Sequence, residues 1–494
     1  MTTSIAESSA GLKRLLQWVA MLLTMLVVSW PNPVRAIPLF ARQTGQNCVA
    51  CHAGGQFPEL TPYGRLFKMT GYTLGERTSV PFSAMALGSL SKVSDTSKSD
   101  DPGQDFQKNN DLIFATASVF LGGKITDRVG AFVQVTYDPY ASQAPDGHFV
   151  SQTKVDNADI RYADRFIDEK SDFIFGISAN NNPSVSDPWN TAAAWMQYVP
   201  VPSPTSSRFV DGTAPYPSYG SGGNIAGLTA YGFWNRAWYA ELGLYGSSQN
   251  LTTPFSWGVH SDSKTKLSGA NPYLRLAWNK EWGAQSLMIG TAAMWAKVYD
   301  SSDTSDSSTI HKNTDWNIDA QYQYLLDPHS FTAQFIYEHS RLQYSDATAN
   351  QSVAYVDASG NPLPNTNLAD TTNLIRAKFT YVYQAKYGGS IGFFNLTGTT
   401  NTFNQSSGYD PTTLTITSDP AAGSPSQRVG GNLYGNPATR GATFEAFWTP
   451  IQYMRLGAQY TAYNRYNGAS ENYDGFGRNA RDNNSFFLYL WAAY

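Results

Sequence analysis

Apolar and polar residues alternate in short segments from about residue 81 to the end of the chain. Along 317–324, one set of positions reads Asn, Asp, Gln, Gln and the other reads Ile, Ala, Tyr, Tyr. The segments 331–338 and 454–461 alternate in the same way, with Ile336 as a departure. Because successive side chains of a β-strand point to opposite faces, this period of two predicts strands with one apolar and one polar face.

The lengths of the connections indicate which β-structure these strands form. Tight turns are predicted at 126–128, 235–236, 281–285, 326–330, 388–389 and 450–452. Long polar loops are predicted at 94–109, 138–153, 179–224, 247–270, 300–314, 344–369, 398–439 and 466–482. Alternation of short turns with long loops is typical of outer-membrane barrels. A soluble sandwich is the alternative, although it does not need long loops at every second connection.

The composition favours the membrane barrel. Only 15% of the residues are charged, whereas soluble domains carry about 25%. The final segment, 485–494, reads as an aromatic closing strand, and closure is needed because an open sheet edge cannot be satisfied in lipid. We therefore predict an all-β fold, an antiparallel porin-like transmembrane barrel of about 16 strands over 81–494. Outer-membrane lipid is then a partner, and the net charge of −4 disfavours nucleic acid.

One predicted loop, 179–224, is too long to be a simple connector. It contains Asn-Asn-Asn-Pro at 180–183 and Asp-Pro-Trp at 187–189. Two arrangements are open for it. It either folds into the barrel as a constriction or lies on the outer surface.

The first 36 residues read as a secretion signal. Two basic residues precede an apolar run at 15–30, and Val34 and Ala36 supply the small residues that signal peptidase favours. The run is shorter than the ~20 residues that a membrane-spanning helix needs. An uncleaved N-terminal anchor is the alternative, and in either case the chain leaves the cytoplasm.

The two cysteines of the chain lie in the sequence Cys48-Val-Ala-Cys51-His52. This spacing is the attachment motif for c-type haem, in which two thiols bind the porphyrin covalently and the histidine ligates its iron. A redox-active disulfide and a zinc site are the alternatives, but zinc needs further ligands and the next histidine is His148. We expect one c-type haem as the cofactor, with His52 as the proximal ligand.

The segment 37–80 is too short to fold on its own core, so a haem would complete it as a small α-helical module. Leu39, Phe40, Phe57, Leu60, Leu66 and Phe67 are available to cover the haem. Thr61 and Pro62 predict a helix start and Gly71 its stop. For the sixth iron ligand we favour Met85, with Met69 as the second choice and a barrel residue such as His148 as the bis-histidine alternative.

With these motifs in hand, the chain resembles the outer-membrane cytochrome–porin fusions linked to Fe(II) oxidation in iron-oxidising bacteria. The resemblance is carried by the segments 38–45, 57–60, 64–65, 71–74, 473–475 and 477–480. It implies an electron conduit in a Gram-negative outer membrane, with the haem module at the periplasmic side or in the barrel lumen. The family's haem-binding positions correspond to Cys48, Cys51 and His52.

The resemblance implies that extracellular Fe(II) is the donor and that a periplasmic cytochrome or copper protein is the acceptor. As an enzyme, the chain would then be an oxidoreductase of the Fe(II):cytochrome c type. A solute-transport porin with a structural or regulatory haem is one alternative. Electron export to an external acceptor and a barrel adhesin with a degenerate motif are the others. Asp95, Asp100, Asp101 and Asp105 in the first long loop are read as solvated charge rather than as an iron site.

Overall fold

In the computed structural model of this 494-residue chain, Pro38–Tyr494 forms one compact unit. The structure describes residues 39–55, 59–77, 81–94, 112–143, 149–191, 225–248, 266–299, 304–345, 368–401, 409–410, 415–416, 432–475 and 477–494. The secretion signal predicted for 1–36 lies outside these residues. The predicted haem module and the predicted barrel belong to the same compact unit.

Sixteen antiparallel strands close into a barrel, as the alternation of polar and apolar residues predicts. They are β1 (Phe82–Val93), β2 (Leu112–Lys124), β3 (Val129–Gln143), β4 (Phe149–Ile167), β5 (Asp172–Asn180), β6 (Ile225–Trp234), β7 (Trp238–Ser247), β8 (Asn271–Trp282), β9 (Gln285–Tyr299), β10 (Ile310–Leu326), β11 (His329–Gln343), β12 (Ala369–Tyr383), β13 (Tyr387–Gly398), β16 (Thr439–Ile451), β17 (Met454–Arg465) and β18 (Ser485–Ala493). A separate hairpin joins β14 (Tyr409–Asp410) to β15 (Thr415–Ile416).

The barrel closes by pairing its first strand with its last. The pairing of β1 with β18 runs in register from Met85 opposite Ala493 to Val93 opposite Ser485. Large apolar side chains are exposed on the outer face, among them Leu228, Leu242 and Ile391, while polar side chains fill the inner face. A closed barrel with an apolar exterior is the form in which β-strands cross a lipid bilayer, so this is a transmembrane β-barrel.

The short connections all lie at one end of the barrel, and two of them differ from the predicted turns. Gly388 and Gly389 were predicted as a turn, but they lie within β13. The turn instead falls just before that strand, where Gln384 and Ala385 both adopt a positive φ of 53°. Two successive residues with positive φ form a two-residue hairpin turn, and its backbone twist matches the right-handed twist of the paired strands. The turn between β4 and β5, which the sequence did not single out, is closed by the Asp168 amide donating to the Ser171 carbonyl at 2.9 Å.

The segment before the barrel is helical, as predicted. It contains α1 (Leu39–Thr44), α2 (Cys48–Cys51), a 3-10 turn (Ala53–Gly55) and α3 (Pro62–Met69). Thr61 caps α3 because its hydroxyl accepts from the Gly64 amide at 3.1 Å, and Pro62 occupies the first turn. Gly71, with φ of 72°, follows the helix end. A further short helix, α4 (Pro183–Ser186), follows β5. None of the helices described here is long and apolar enough to cross a membrane.

Candidate haem-attachment site and the barrel lumen

The attachment module, defined as the described residues 39–55 and 59–77, lies inside the barrel at the end with the short turns. The Cys48 amide donates to the Gln452 side chain at 3.4 Å, and Gln452 lies in the turn between β16 and β17. Arg42 donates to the carbonyl of Phe82 at the start of β1. The Lys124 amide, at the end of β2, donates to the Gln43 side chain at 3.0 Å. These contacts join the module to residues at the short-turn end of the barrel.

The attachment motif itself occupies one helical turn. Cys48 is buried, Cys51 is half-buried, and both are free thiols rather than a disulfide. His52 follows in extended backbone, and its amide donates to the Cys48 carbonyl at 2.8 Å. The two thiols and the imidazole therefore come from five consecutive residues held at one place, as covalent attachment and axial ligation of one haem require.

Burial sets the protonation of these groups. His52 keeps part of its surface open, yet protein surrounds it closely enough that burial lowers the pKa of its imidazole to about 3. The neutral imidazole is the form that ligates a metal. Burial, and after it the charge of Cys48, raises the pKa of the Cys51 thiol to about 11. Cysteines that work by thiol–disulfide exchange have lowered pKa values, so this site does not resemble one of those.

Helix α3 packs backbone to backbone against the attachment motif. The Thr61 amide donates to the Cys51 carbonyl at 2.9 Å, and the Thr61 hydroxyl donates to the Ala50 carbonyl at 2.5 Å. A methyl group added at Gly64 would collide with the same Cys51 carbonyl. Glycine is therefore required by this close approach, and the position of α3 fixes the position of the motif.

Arg65 on α3 anchors the module to the barrel wall. Its guanidinium donates to the Gln323 side chain at 2.9 Å, to Gln321 at 3.3 Å and to Ser286 at 3.2 Å. These three partners point inward from β9 and β10. Arg65 is fully enclosed, and burial lowers its pKa to about 10. A buried cation with several wall partners holds the helix in a defined position, since each lost partner would leave charge unsatisfied.

Lys68, one turn further along α3, ties the module to a second element. Its ammonium donates to the Asp187 carbonyl at 2.7 Å and to the Asn190 side chain at 2.8 Å. Burial, and after it the positive charge of Arg161, lowers the pKa of Lys68 to about 7. Both acceptors belong to residues 181–191, which we call the inward segment.

The inward segment is the described part of the long loop after β5, for which two arrangements were open. Its residues are almost all buried, and Trp189 is only 1% exposed, so this described part of the loop folds into the lumen. Arg275 of β8 holds it in place by pairing with Asp187 at 3.4 Å and with Asp319 of β10. The Thr191 hydroxyl also donates to Asp319 at 2.5 Å.

A second buried pair joins the module, the inward segment and the wall. Tyr72 donates to Asp159 of β4 at 2.6 Å, and Arg161 donates to the same carboxylate at 2.5 Å. Arg161 also donates to the Ser186 carbonyl at 2.6 Å. The module and the inward segment therefore occupy the lumen along β4, β8 and β10, where the buried ion pairs Arg161–Asp159 and Arg275–Asp319 hold them.

The apolar residues of the module serve this packing. Phe40 and Phe67 pack edge to face with ring centroids 4.9 Å apart, and Phe40 stacks on Tyr72 at 5.6 Å and lies 6.0 Å from Phe132 of β3. Leu66 packs against a buried cluster that we call the wall cluster, which consists of Met69, Ile174, Trp189, Tyr231, Phe233, Tyr239, Ala277 and Met288. Phe40, Leu66 and Phe67 are predicted from the sequence to cover a haem. In the structure, the contacts named here join them to the rest of the module and to the barrel wall. Phe57 lies outside the described residues.

On the side of β1, β2 and β18 the lumen has an apolar wall, which the sequence analysis did not identify. We call it the β18 wall, and it consists of Met85, Leu87, Ile113, Phe487, Tyr489 and Trp491. The interior of a porin-type barrel is polar, so an apolar inner wall is unusual there and fits an apolar ligand such as a porphyrin plate. Alternation along the closing strand could have revealed it, because Phe487, Tyr489 and Trp491 are all inward positions.

The two candidate methionines have different surroundings. Met69 is 2% exposed and packs against Trp189 and Tyr231 in the wall cluster, and the Tyr231 hydroxyl donates to its carbonyl at 2.7 Å. Met85 is half-buried, faces the lumen and accepts a hydrogen bond from the Trp491 indole at 3.2 Å between Nε1 and Sδ. Met69 is thus core packing, and Met85 has the more accessible sulfur. His148 lies outside the described residues.

The described residues contain no group of three or more His, Cys, Asp or Glu side chains that could hold a metal ion. The zinc alternative thus gains no support from the part of the chain that the structure describes. The aspartates of the first long loop, at 95, 100, 101 and 105, lie outside it.

The fold and the site define a class of protein, a 16-stranded transmembrane β-barrel of porin type that holds an N-terminal Cys-x-x-Cys-His module in its mouth. No protein-family model matches the chain, and neither does any curated protein. Solved outer-membrane barrels share the fold alone. The chain is similar to OmpF of Salmonella typhi in complex with daunomycin (11% identity, TM-score 0.42, covering 84% of this chain and 97% of that chain). It is also similar to in-vitro folded OmpT of Vibrio cholerae (12%, 0.41, 84% and 96%) and to the channel DcaP of Acinetobacter baumannii (12%, 0.39, 84% and 96%).

Proposed function

We propose that this protein transfers single electrons across the outer membrane through one c-type haem attached to Cys48 and Cys51. His52 is the proximal axial ligand and Met85 the sixth ligand. Extracellular Fe(II) is the donor, and a periplasmic cytochrome or copper protein is the acceptor. The observation that carries the proposal is the haem-attachment motif held inside the mouth of a closed membrane-spanning barrel.

The residues around the motif fit a haem. His52 has a neutral imidazole, the thiols of Cys48 and Cys51 are free, and the β18 wall supplies apolar surface. A bound haem supplies a one-electron Fe(III)/Fe(II) couple, so that each electron taken from a ferrous donor leaves a ferric ion and is passed on to the acceptor. Histidine–methionine ligation raises the potential of such a couple, which suits a weak donor such as Fe(II).

The place of the module supports a direction of transfer. Short turns of outer-membrane barrels face the periplasm and long loops face the outside. The attachment motif lies at the short-turn end, beside Gln452, so a periplasmic acceptor can approach the haem edge directly. The donor then approaches from the end with the long loops.

The filled lumen favours electron transfer over solute transport. Electrons need no water-filled path, whereas a transport porin does. Along β4, β8 and β10 the lumen is occupied by α3 and the inward segment, held by buried pairs such as Arg275 with Asp319 and Arg161 with Asp159. These buried pairs narrow the path that a solute would take through the lumen.

The test uses the purified full chain in liposomes that enclose oxidised cytochrome c, with ferrous salt added outside. We expect the enclosed cytochrome to become reduced, and we expect no reduction with a Cys48→Ser/Cys51→Ser variant that still forms the barrel. Orientation is scored by protease access to the long loops. Release of small trapped solutes without reduction of the enclosed cytochrome would instead identify a transport porin.

A further inference from the structure

We propose that Trp491 is the positioning residue for the sixth ligand: its indole N–H holds the Met85 sulfur and raises the reduction potential of the iron. This inference rests on the proposed function and adds to it the residue that sets the redox poise. It goes beyond the ligand assignment because Trp491 belongs to the last strand and has no place in the attachment motif.

The barrel closure brings the two side chains together. Ala493 of β18 lies directly opposite Met85 of β1, so Trp491 is the diagonal neighbour of Met85 on the inner face. Diagonal cross-strand neighbours are within reach when one of them is aromatic. The contact is a hydrogen bond of 3.2 Å from indole Nε1 to Sδ, and Trp491 is only 6% exposed.

The contacts of the attachment module place it beside this pair. Arg42 donates to the carbonyl of Phe82, three positions before Met85 on β1. Cys48 contacts Gln452, which precedes the start of β17, and Met454 on that strand pairs with Ala492 of β18. The module is thus anchored at the first residue of β1 and at the turn that precedes β17, and β1 and β17 are the strands that flank β18. Neighbouring strands are about 4.8 Å apart, so these anchors lie within two strand spacings of each other.

The Met85 thioether can ligate the iron and accept the hydrogen bond from the Trp491 indole at the same time. Its sulfur carries two lone pairs, so one can ligate iron while the other accepts the indole N–H. The hydrogen bond fixes the sulfur in one orientation and draws electron density from it. A ligand that donates less density stabilises the ferrous state, so the contact raises the potential. A buried indole N–H normally has a partner, and here that partner is the only sulfur in the β18 wall.

The experiment compares haem content, the methionine-to-iron charge-transfer band of the ferric protein and the midpoint potential. The variants are Trp491→Phe and Trp491→Leu, which both remove the N–H but differ in volume, and Met85→Leu, which removes the ligand. Trp189→Phe is the matched control. Trp189 is another buried lumen tryptophan, and its Nε1 has no hydrogen-bond partner within the described residues.

We expect both Trp491 variants to retain haem and to lower the equilibrium constant for haem reduction roughly two- to tenfold, as the loss of one hydrogen bond implies. Met85→Leu should abolish the charge-transfer band, and Trp189→Phe should match the wild type. The proposal is overturned if the Trp491 variants keep the wild-type potential, or if Met85→Leu keeps the band. Wild-type protein with haem but without that band refutes this inference alone, whereas wild-type protein without haem also refutes the proposed function.

Discussion

Asp187→Ala should open the lumen by releasing the inward segment. The Asp187 carboxylate accepts from the Thr191 amide at 2.9 Å, from the Thr191 hydroxyl at 3.0 Å and from the Trp189 amide at 3.3 Å. It also pairs with Arg275 at 3.4 Å, with both side chains fully buried. The substitution removes all of these contacts while leaving the barrel strands unchanged.

The cost of this change is large because a buried cation loses one of its two carboxylate partners. Removing one member of a buried ion pair costs about 3–5 kcal/mol. Arg275 still contacts Asp319, so the lower end of that range applies to the pair, and the lost backbone bonds add about 1 kcal/mol each. Together these losses come to about 5 kcal/mol, which raises the population of the displaced segment roughly 10³- to 10⁴-fold.

Planar-bilayer conductance measures the effect directly. We expect Asp187→Ala to show larger or more frequent conducting states than the wild type, with an unchanged β-sheet signal in circular dichroism. Asp127→Ala is the control, because Asp127 is exposed and its ion pair with Lys124 lies in a short turn. Equal conductance in the wild type and Asp187→Ala would refute the reasoning, since the inward segment would then close no passage.

Three further predictions follow from single contacts. Gly64→Ala should displace the Cys51 carbonyl and reduce covalent haem attachment, which is scored by haem absorbance per barrel. Module stability should rise as the pH increases from about 7 towards about 10, because the pKa of Lys68 is about 7 when folded and 10.5 otherwise, so the unfolded state binds the extra proton. The free energy of unfolding should rise by at most about 1.4 kcal/mol per pH unit. Urea denaturation measures this slope, and Lys68→Met should remove it. Gly457→Ala should push the ring of Tyr489 off the wall and lower the thermal midpoint of the barrel, and an unchanged midpoint would contradict that close approach.

The barrel could be predicted because it depends on local sequence periodicity. Lipid on one face and the lumen on the other impose a period of two on every strand, so the pattern at 317–324 is readable without any partner strand. The even strand number and the closing aromatic strand are consequences of the same constraint. The structure confirms both.

Turn positions were harder to predict than strands, because a pair of glycines does not by itself show where the chain reverses. The sequence predicts a turn at Gly388 and Gly389, but they lie in β13, where a side chain at Gly388 would collide with Phe447 on the neighbouring strand. The turn uses Gln384 and Ala385 instead. Close packing across strands thus requires glycine as often as chain reversal does.

The contacts inside the lumen could not be predicted, because they join residues far apart in sequence. Trp491 meets Met85 across 406 positions, and Arg65 meets Gln323 across 258. Such pairs are set by strand register and barrel closure, which no local pattern encodes. The attachment motif was different, because Cys48, Cys51 and His52 lie within five consecutive residues. Its chemistry could therefore be predicted from the sequence, whereas its place in the barrel could be seen only in the structure.

The central claim is that a haem is covalently attached at Cys48 and Cys51 within this barrel. The most direct measurement is the intact mass of the protein purified from outer membranes, together with the mass of the peptide that contains His52. The account predicts a mass increase of one haem on that peptide and none in the Cys48→Ser/Cys51→Ser variant. Two unmodified thiols in the wild-type protein would contradict it.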